Sequence, residues 1–580
     1  MLLSSLLPLV LPAAIRAQGA VSLQGARGTV TVRAPGQACR VAMLDDRPAQ
    51  RGGDSLFRFT GVAPGGYRLL CGSPLEIYVQ PGADLRVTLS ASTYPVFQGR
   101  GAQLNRYLIG PRAMATPELA ALWTEQPSDF TREWRAAYDD DLRTLRRVGG
   151  TDREFREREM MRLRLRHAFG RVVYPYFHWR ESDERKLALQ TDFTVLLSGI
   201  QLDDLRWSSL PEHAELLGAV IHERARSLLA SEPALQHGDA RWLRAEFASA
   251  TTLLTDSTLL RRTTSRMLAT AIEENGGRGV DSVYARWLAL GVDSAARARI
   301  DSLLAVDRAM QQGHHVETYR TLDNVAMNVH ILRPENVDST TVTPAMLWFH
   351  GGSWNSGTWW HSPGVVGALR ENGVTVVGVE LRTSNRFDSG PLEQVEDAVL
   401  AHEWIVRNAS RLHIDSTRVG VAGFSSGATL ATILGTRGLL PLPPAPAEGQ
   451  VPQPMPVATR RYPAAVLAVG ACVYPSGPGE DGFFRKVVGL QAVVSEFTPI
   501  LSTMAQQPPT LFVHASQDEY CDIKPVRTFV EQSRGLGNRV TLSEVENAGH
   551  FFGFYYQPGQ RQMRRAIQTA LTEWGWLGAR

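Results

Sequence analysis

The chain has 580 residues, a length that predicts several domains rather than one. Hydrophobic residues make up 43% and charged residues 21%, which is typical of a folded globular protein and argues against long disordered regions. The formal net charge is +3, and the charged stretch from Asp152 to Arg166 mixes both signs. Proteins that bind nucleic acid or a membrane surface need basic residues clustered on one face, so the sequence favours neither class.

The first residues of the chain have the pattern of a secretory signal. Leu2 to Ala14 is apolar and uncharged, and Arg16-Ala17-Gln18 follows. This run is too short to span a bilayer, which takes ~20 residues, but it fits the apolar region of a signal that is cleaved after Ala17. The alternatives are an N-terminal strand and a wrongly chosen start codon. We therefore predict that residues 1–17 are a signal peptide, that the protein is exported to the periplasm or the medium, and that no integral membrane segment remains after cleavage.

Residues 18–98 are predicted to form a small β-sandwich. Alternating runs such as Gly28 to Arg33, Leu56 to Thr60 and Leu85 to Leu89 are separated by Gly/Pro turns, the pattern of half-buried strands. The stretch EIYVQPGADLRVTL resembles the N-terminal module that precedes thioredoxin-like domains in some secreted bacterial envelope proteins.

Residues 99–312 are predicted to form a helical domain. Apolar residues recur three and four positions apart in Phe155 to Phe169 and in Leu216 to Leu229, which is the period of an amphipathic helix. Four neighbouring aromatic residues either line a pocket or belong to the core: Tyr174, Tyr176, Phe177 and Trp179. We favour the core, because aromatic side chains dominate core burial.

From residue 313 to 580, predicted strands alternate with predicted helices. The helix Leu392 to Asn408 lies between the strands Thr375 to Glu380 and Arg418 to Ala422. Such alternation predicts a mostly parallel sheet covered by helices. The predicted fold is therefore an α/β domain at residues 313–580, preceded by the β-sandwich and the helical domain.

The pentapeptide Gly423-Phe424-Ser425-Ser426-Gly427 matches the pattern G-x-S-x-G. It follows an apolar strand that ends at Ala422 and precedes a helix-compatible run that begins at Ala428. In a nucleophile elbow, the glycines permit a tight strand-to-helix turn that lifts the serine hydroxyl above the sheet. Ser426 occupies a variable position of the pattern, so Ser425 is the predicted nucleophile.

The segment His350-Gly351-Gly352-Ser353-Trp354 follows another apolar strand. Acyl transfer needs backbone N–H donors aimed at the developing oxyanion, and glycines let the backbone approach a substrate closely. The alternative is a plain Gly-Gly turn. The predicted oxyanion hole takes two amides from Gly351, Gly352 and Ser353, and a third from Ser426, the residue after the nucleophile.

A serine hydroxyl is a poor nucleophile unless a base, itself oriented by an acid, removes its proton. In a sheet with this type of elbow the chain order is Ser, then Asp or Glu, then His. Asp518 follows the strand Thr510 to His514, and His550 lies in the loop after the strand Val540 to Val545. These two residues are the predicted acid and base.

Other residues compete for both roles. Glu519 and Asp522 are close enough in sequence to Asp518 to be the acid. His514 follows the nucleophile but precedes the acid, and three further histidines precede the nucleophile: His361, His402 and His413. The chain order therefore favours His550 as the base.

Together these motifs resemble the hormone-sensitive-lipase-like and the bacterial acetyl- or feruloyl-esterase-like α/β-hydrolases. The likeness extends from about Val316 to Trp576 and includes HGGSW, RVGVAGFSSGATLA, PPTLFVHASQDEYC and NAGHFFGF in the same order. It implies a serine esterase with a Ser425–His550–Asp518 triad, an acyl-enzyme and no cofactor or metal. Ser353 replaces the third glycine of the usual HGGG, so the likeness selects no single branch or substrate.

Two other functions remain open. An amidase, formamidase or peptidase can use the same triad, and kynurenine-formamidase-like proteins share the layout. A non-catalytic envelope binding protein that retains a hydrolase shell is the other alternative. The expected partner is a small-molecule or carbohydrate ester rather than nucleic acid, and the sequence does not define the oligomeric state.

Short-acyl esters, such as acetyl or feruloyl groups on carbohydrate, are the expected substrates. No lid-like amphipathic helix is predicted between His514 and His550, and the Pro-rich stretch Leu440 to Tyr462 is poorly suited to form one. Three tryptophans after the Gly-Gly motif either stack on sugar or aryl groups or pack in the core: Trp354, Trp359 and Trp360.

The four cysteines have no metal-ligand spacing and fall into two pairs. Cys39 and Cys71 lie in the predicted β-sandwich, whereas Cys472 and Cys521 lie in the α/β domain. In an exported protein each pair can oxidise to a disulfide. Four buried free thiols are the alternative.

Overall fold

The structure is a computed structural model. It describes residues 26–577 except residues 35–38, 40, 54, 72, 90–93, 111–113, 115–121, 149, 151, 182–196, 198, 336, 363, 388, 441–460 and 475–493. The predicted signal peptide and most of the Pro-rich stretch lie outside the described residues. The chain divides into two compact units, Met1–His222 and Glu223–Arg580.

The first unit contains the predicted β-sandwich. Its strands form one sheet in the order β4-β5-β1-β8-β9 and another in the order β3-β2-β6-β7. Residues that alternate along the strands, such as Val30 and Leu85, bury one shared hydrophobic core, and a disulfide joins Cys39 to Cys71. The strands are β1 (Gly28–Arg33), β2 (Met43–Leu44), β3 (Arg47–Pro48), β4 (Gln50–Arg51), β5 (Leu56–Val62), β6 (Gly65–Cys71), β7 (Ser73–Val79), β8 (Asp84–Thr88) and β9 (Val96–Gln98).

Helices follow the sandwich in the same unit: α1 (Ala102–Ile109), α2 (Pro127–Val148) and α3 (Arg153–Glu181). Their apolar faces form an aromatic core that includes Phe130, Phe155 and Tyr174. Tyr174 and Phe177 are buried, as predicted for core residues, and Tyr176 is half-buried. The side chain of Trp179 lies outside the described residues. The next helix, α4 (Pro211–Ser231), contains the boundary between the two units.

The second unit begins with helices that share their own hydrophobic core, formed by residues such as Phe247, Ile272 and Trp287. These helices are α5 (Arg241–Leu253), α6 (Ser257–Asn275), α7 (Asp281–Leu288) and α8 (Ser294–Met310). The sequence groups them with residues 99–222 in one domain, yet they belong to the same compact unit as the large sheet that follows. The predicted boundaries of independently folding domains remain predictions.

The large sheet has the strand order β10-β11-β13-β12-β14-β15-β16-β17 among the described residues. β11 pairs antiparallel with β10 and β13, and the other neighbours are parallel. The strands are β10 (His315–Leu322), β11 (Val325–Leu332), β12 (Thr343–Phe349), β13 (Thr375–Val379), β14 (Ile414–Phe424), β15 (Val466–Val469), β16 (Thr510–Ala515) and β17 (Val540–Val545). The mostly parallel sheet confirms the predicted fold class.

Helices cover both faces of this sheet. Along β12, Leu347 packs into one hydrophobic core and its neighbours Met346 and Trp348 pack into another, because successive side chains of a strand point to opposite faces. Both faces are therefore dry, which explains the continuous apolar runs of the central strands. The helices are α9 (Val365–Glu371), α10 (Ser384–Phe387), α11 (Pro391–Asn408), α12 (Ser426–Arg437), α13 (Val494–Phe497), α14 (Ile523–Gly535), α15 (Phe552–Tyr555) and α16 (Gln557–Glu573).

Candidate active site

Ser425 lies in the turn between β14 and α12, the central strand and the helix that follows it. Its backbone has φ 54° and ψ −122°, a conformation that is rare for a residue with a side chain and that is characteristic of strained functional sites. A Cβ on Gly427 would lie only 2.2 Å from the carbonyl oxygen of Phe349, so only glycine permits this close approach to the neighbouring strand. The close approach to β12 thus explains why the predicted elbow has a glycine at position 427.

The Gly-Gly loop, residues 350–358, lies against this elbow. A Cβ on Gly351 would be 3.1 Å from the Cβ of Ser425, and Gly352 and Ser353 have positive φ values of 132° and 53°. The carbonyl of Gly352 accepts the amides of Asn355 and Ser356, which fixes the turn. The loop therefore holds its backbone beside the nucleophile.

The amides predicted to form the oxyanion hole are available as donors. No backbone hydrogen bond in the described part of the chain uses the amides of Gly351, Gly352 or Ser353. Ser426 is the first residue of α12, where an amide has no partner within the helix. The structure thus brings all four predicted residues to the start of α12 and the loop beside it.

Asp518 and His550 form a buried hydrogen-bonded pair. His550 Nδ1 lies 2.7 Å from Asp518 Oδ2, and the side chains of His550 and Asp518 are 2% and 0% exposed. The other oxygen, Oδ1, accepts the amides of Tyr520 at 2.9 Å and Cys521 at 2.7 Å. The structure therefore brings the predicted acid and base into direct contact.

The protonation of this pair follows from its surroundings. Burial alone would raise the pKa of Asp518, but the hydrogen bond and charge of His550 and the amide of Cys521 outweigh burial and hold that pKa below its usual range. An ionised carboxylate can only accept hydrogen bonds, so the proton of a neutral His550 is on Nδ1. Its Nε2 then carries the lone pair that a general base needs.

The competing acids have other contacts. Glu519 Oε2 accepts the backbone amide of His550 at 3.0 Å, and Asp522 accepts the amide of Lys524 at 3.0 Å and caps α14. Neither carboxylate hydrogen-bonds the imidazole of His550 among the described residues. Of the three candidates, the structure places only Asp518 at the ring.

The competing histidines have contacts that explain their burial. His514 Nε2 lies 2.8 Å from the carbonyl of Cys521, and burial lowers its pKa. His402 Nε2 lies 3.3 Å from the carbonyl of Val419, and burial lowers the pKa of His402 and of His361 to about 4 in each case. The rings of His402 and His514 are buried and that of His361 is half-buried. His413 lies before the elbow, and its carbonyl accepts the amide of Thr343.

Gly470, which the sequence analysis did not single out, connects the elbow to His550. It follows β15 with φ 64°, and a Cβ here would lie 3.2 Å from Cε1 of His550. The preceding residue, Val469, accepts the amide of Ser425 at 3.0 Å. Any side chain at position 470 would displace the imidazole, but a lone glycine after a short strand gives no signal in the sequence.

Aromatic rings surround His550. The ring centroids of Phe424, Tyr520 and Phe551 lie 5.0, 5.1 and 5.1 Å from that of His550. Tyr520 is 47% exposed, so this aromatic wall reaches solvent. It consists of Phe424, Tyr520 and Phe551 and was not predicted from the sequence.

The three tryptophans after the Gly-Gly motif contribute to packing. Trp359 is buried and stacks on His330, with ring centroids 4.4 Å apart. Trp354 packs against the core of the large sheet, and Trp360 contacts the ring of His361. Of the two interpretations left open by the sequence, the structure favours core packing over an exposed stacking surface.

The helical segment of the second unit reaches the Gly-Gly loop. Glu274, near the end of α6, accepts a hydrogen bond from the side-chain amide of Asn385. The backbone amide of Asn385 donates to the carbonyl of Asn355 in the loop. A Cβ on Gly276 would lie 3.6 Å from the side chain of Thr358. The end of α6 therefore supports the loop beside the nucleophile.

A second disulfide joins Cys472, after β15, to Cys521, after β16. Within the described ranges, no three His, Cys, Asp or Glu side chains are grouped as metal ligands would be. No helix in that part of the chain is both long and apolar enough to cross a bilayer.

The large sheet, its covering helices and the strained elbow between β14 and α12 define the C-terminal part as an α/β-hydrolase. Residues 329–440 match the model of the BD-FAE family. The chain is 33% identical to ethyl acetate hydrolase of Pseudomonas putida over 117 residues, which cover 20% of this chain and 36% of that one. The sheet and these matches confirm the predicted α/β-hydrolase fold.

A second relative is the uncharacterized peptidase YuxL of Bacillus subtilis strain 168, 24% identical over 264 residues that cover 42% of this chain and 36% of the other. The chain thus spans about a third of the length of these curated relatives. The propionate-bound structure of Est2, an esterase of Thermogutta terrifontis, is 21% identical, with a TM-score of 0.40 and coverage of 46% of this chain and 97% of that one.

Proposed function

We propose that the C-terminal part of the chain is a serine hydrolase that cleaves carboxylic esters through an acyl-enzyme. Ser425 is the nucleophile, His550 the general base and Asp518 the acid that orients it. The observation that carries the proposal is the 2.7 Å hydrogen bond from His550 Nδ1 to the fully buried Asp518 carboxylate. The 33% identity to an ethyl acetate hydrolase supports the ester as the substrate class.

The mechanism follows from these positions. His550 Nε2 accepts the proton of Ser425 as the hydroxyl attacks the ester carbonyl, and Asp518 stabilises the imidazolium. The amides of Ser426 and of two residues among Gly351, Gly352 and Ser353 stabilise the oxyanion, and His550 then protonates the leaving alcohol. Water, activated by the same base, releases the acid from Ser425.

Replacing the nucleophile tests the proposal. We expect Ser425→Ala to abolish hydrolysis of a simple aryl acetate, with a loss on the order of 10⁶-fold when the triad acts as a unit. The matched control is Ser426→Ala, because this residue is proposed to contribute only its backbone amide. A fluorophosphonate probe should label the wild type and Ser426→Ala but not Ser425→Ala. Full activity in a folded Ser425→Ala variant would refute the assignment.

Short-acyl esters, including acetyl or feruloyl groups on carbohydrate, are the proposed substrates. The test compares kcat/KM for acetyl, butyryl, octanoyl and palmitoyl esters of one alcohol, together with the release of acetate from acetylated xylan. We expect a maximum at acetyl or butyryl. A maximum at octanoyl or longer, with no release from the polysaccharide, would contradict the proposal.

A peptidase or amidase is the second candidate, favoured by the similarity to a protein named as a peptidase. The same triad attacks amides, but protonation by His550 is then more demanding, because an unprotonated amine leaves far less readily than an alkoxide. Paired esters and anilides that share one acyl group distinguish the two functions. An anilide rate within about tenfold of the ester rate would favour the second candidate, because fold alone does not fix the substrate.

We also propose that the protein is exported. The apolar N-terminal run and the two disulfides, Cys39–Cys71 and Cys472–Cys521, support this location, because disulfides persist in oxidising compartments. N-terminal sequencing of the protein recovered from the host's periplasm or medium should begin at Gln18. Recovery from the cytoplasm with Met1 intact would contradict export.

A further inference from the structure

The Cys472–Cys521 disulfide lies between the two halves of the proposed catalytic machinery. Cys472 follows β15, whose last residue, Val469, accepts the amide of Ser425. Cys521 follows β16, in the loop that carries Asp518. The bond therefore joins the nucleophile side of the site to the acid side.

On the acid side, both the amide and the carbonyl of Cys521 form hydrogen bonds beside Asp518. Its amide donates to Asp518 Oδ1 at 2.7 Å, and its carbonyl accepts His514 Nε2 at 2.8 Å. His514 Nε2 also lies 3.4 Å from Asp518 Oδ2. Displacement of Cys521 would therefore remove one hydrogen bond from the carboxylate and shift the ring packed beside it.

On the nucleophile side, Cys472 is bound to the helix that follows the elbow. The Cys472 amide donates to Thr429 Oγ1 at 3.0 Å. Thr429, in the first turn of α12, donates its amide to the carbonyl of Ser425 at 2.9 Å. The side chain of Thr429 is buried, so this connection is shielded from water.

The noncovalent attachments of the acid loop, residues 516–522, to other segments include bonds to β17 and the loop of His550: the amides of Ser516 and Gln517 donate to the carbonyls of Val545 and Ala548. Gln517, Glu519 and Tyr520 are exposed, whereas Cys521 is only 4% exposed. Exposed loops with few buried contacts open locally more easily than the core beneath them. The disulfide supplies a covalent attachment at the buried end of this loop.

Resting on the proposed function, we propose that the Cys472–Cys521 disulfide is a positioning element that holds the Asp518 loop against α12. It acts through Cys521, whose amide holds one carboxylate oxygen while His550 binds the other. The bond thereby fixes the positions of the acid, the base and the nucleophile relative to one another. Cys472 and Cys521 do not touch the reacting atoms.

This role predicts a defect in turnover rather than in binding. A displacement of about 1 Å in a catalytic group can cost on the order of 10²-fold in rate. The Gly-Gly loop contains neither cysteine, whereas Tyr520 of the aromatic wall is adjacent to Cys521. The substrate for this test is therefore an acetyl ester, which has no aromatic acyl group for the wall to bind. Loss of the disulfide is therefore expected to lower kcat by roughly 10- to 100-fold and to change KM by less than about twofold.

The test compares the double variant Cys472→Ser/Cys521→Ser with the matched control Cys39→Ser/Cys71→Ser, which removes the other disulfide. Hydrogen exchange of residues 516–524, measured by mass spectrometry, reports the loop without any substrate. We expect faster exchange at positions 520 and 521, together with the kcat defect, in the first variant only. Unchanged exchange and unchanged kcat in that variant would overturn the proposal.

Reduction of the folded protein provides a second route if the first variant does not fold. A water-soluble phosphine is applied to Cys39→Ser/Cys71→Ser, in which Cys472–Cys521 is the remaining pair. The phosphine gives two electrons and becomes a phosphine oxide with oxygen from water, while the two sulfurs take up two protons and become thiols. We expect the same kcat defect, reversed when the phosphine is removed and oxidised glutathione takes up the two electrons and two protons of the thiols. An unchanged kcat after complete reduction would overturn the proposal.

These outcomes separate this inference from the proposed function. A wild type that hydrolyses no ester refutes the proposed function, whereas exchange at residues 516–524 still reports whether the disulfide holds the loop. If the wild type is active but loss of the disulfide changes neither kcat nor the hydrogen exchange of the loop, only the positioning role is refuted.

Discussion

Arg278 and Glu380 form an ion pair in which Nη1 of the arginine lies 2.8 Å from Oε2 of the glutamate. Arg278 lies between α6 and α7, and Glu380 directly follows β13 in the large sheet. Arg278 also donates to the carbonyl of Ala326 in β11. The helical segment is thus bonded to the sheet through a partly buried charge.

Removal of Arg278 is expected to destabilise the second unit. Burial would raise the pKa of Glu380, but the hydrogen bond of His330 and the charges of Arg278 and Arg386 bring it to about 2. Arg278→Ala removes one of these compensating charges, so we expect the free energy of unfolding to fall by about 1–3 kcal/mol, less than for a fully buried pair because Arg278 is partly exposed.

Chemical denaturation of the wild type and the variant measures this difference. The control is Arg297→Ala, which breaks an exposed pair with Asp301 and should cost less than about 1 kcal/mol. Equal losses of free energy in the two variants would show that the contact of Arg278 with the sheet stabilises the protein no more than an exposed ion pair does.

The same contacts bear on where the hydrolase fold begins. A fragment of residues 313–580 contains every proposed catalytic group but lacks Arg278 and Asp239, the partners of Glu380 and Arg386. We therefore expect it to have a lower Tm than a fragment of residues 232–580, which retains both. Differential scanning calorimetry of the two fragments measures this, and equal Tm values would contradict it.

The assignment of the acid can be tested against its neighbours. Asp518→Asn removes the negative charge that orients and stabilises the imidazolium, so we expect kcat to fall on the order of 10⁴-fold. Glu519→Gln and Asp522→Asn should change kcat far less, because they contact backbone amides rather than the imidazole. The check is steady-state kinetics on an aryl acetate; a larger loss in either control would reassign the acid.

Glu274 is expected to make stability depend on pH. Burial, followed by the charges of Glu246 and Glu273, raises its pKa to about 7 from the ordinary 4.5. Between those values the unfolded chain releases a proton that the folded chain retains. The free energy of unfolding therefore falls as the pH rises from about 4.5 to about 7.

Glu274→Gln removes this loss. We expect the variant to be more stable than the wild type at pH 8, by about 1–3 kcal/mol, and to differ little at pH 4. Thermal unfolding at both pH values measures the effect, with Glu403→Gln, an exposed site on α11, as the control. A variant that is less stable at pH 8 would show that Glu274 is a stabilising anion.

The aromatic wall predicts a selective effect on substrate binding. Tyr520 is exposed and contacts the rings of His550 and Phe551, so Tyr520→Ala should raise KM for feruloyl esters more than for acetyl esters. A stacked aromatic contact contributes about 0.5–1.5 kcal/mol, which corresponds to a few-fold change in KM. Tyr555→Ala, 78% exposed on α15, is the control, and equal effects in both would exclude the wall from binding.

Local sequence signals predicted the parts of the structure that depend on chain order. The strand before Ser425, the helix after it and the strands that lead into the loops of Asp518 and His550 all occur as predicted. Their chemistry depends on residue identity and order, which a sequence displays directly.

Features that depend on close contact between distant segments were not predicted. The strand β15 has only four residues, and Gly470 matters because His550 approaches it from elsewhere in the fold. The link between α6 and the Gly-Gly loop depends on a hydrogen bond between Asn385 and Glu274, which lie 111 positions apart in the chain. Periodicity reports the face that a segment buries but not the partner that covers it.

The strand order of the large sheet also constrains how the chain reaches this structure. β12 lies between β13 and β14, and β14 needs β15 as its second neighbour, so the central pairings join segments that are distant in sequence. Such non-local pairings form slowly, because a long loop must close before they stabilise the chain. During synthesis β12 emerges well before α16, whose Met563 and Ile567 share a hydrophobic core with Met346 and Trp348, so the uncharged run TPAMLWF lacks this cover until α16 is made. The elbow, whose Ser425 amide bonds to β15, is thus completed late, and β12 is exposed to aggregation until its cover forms.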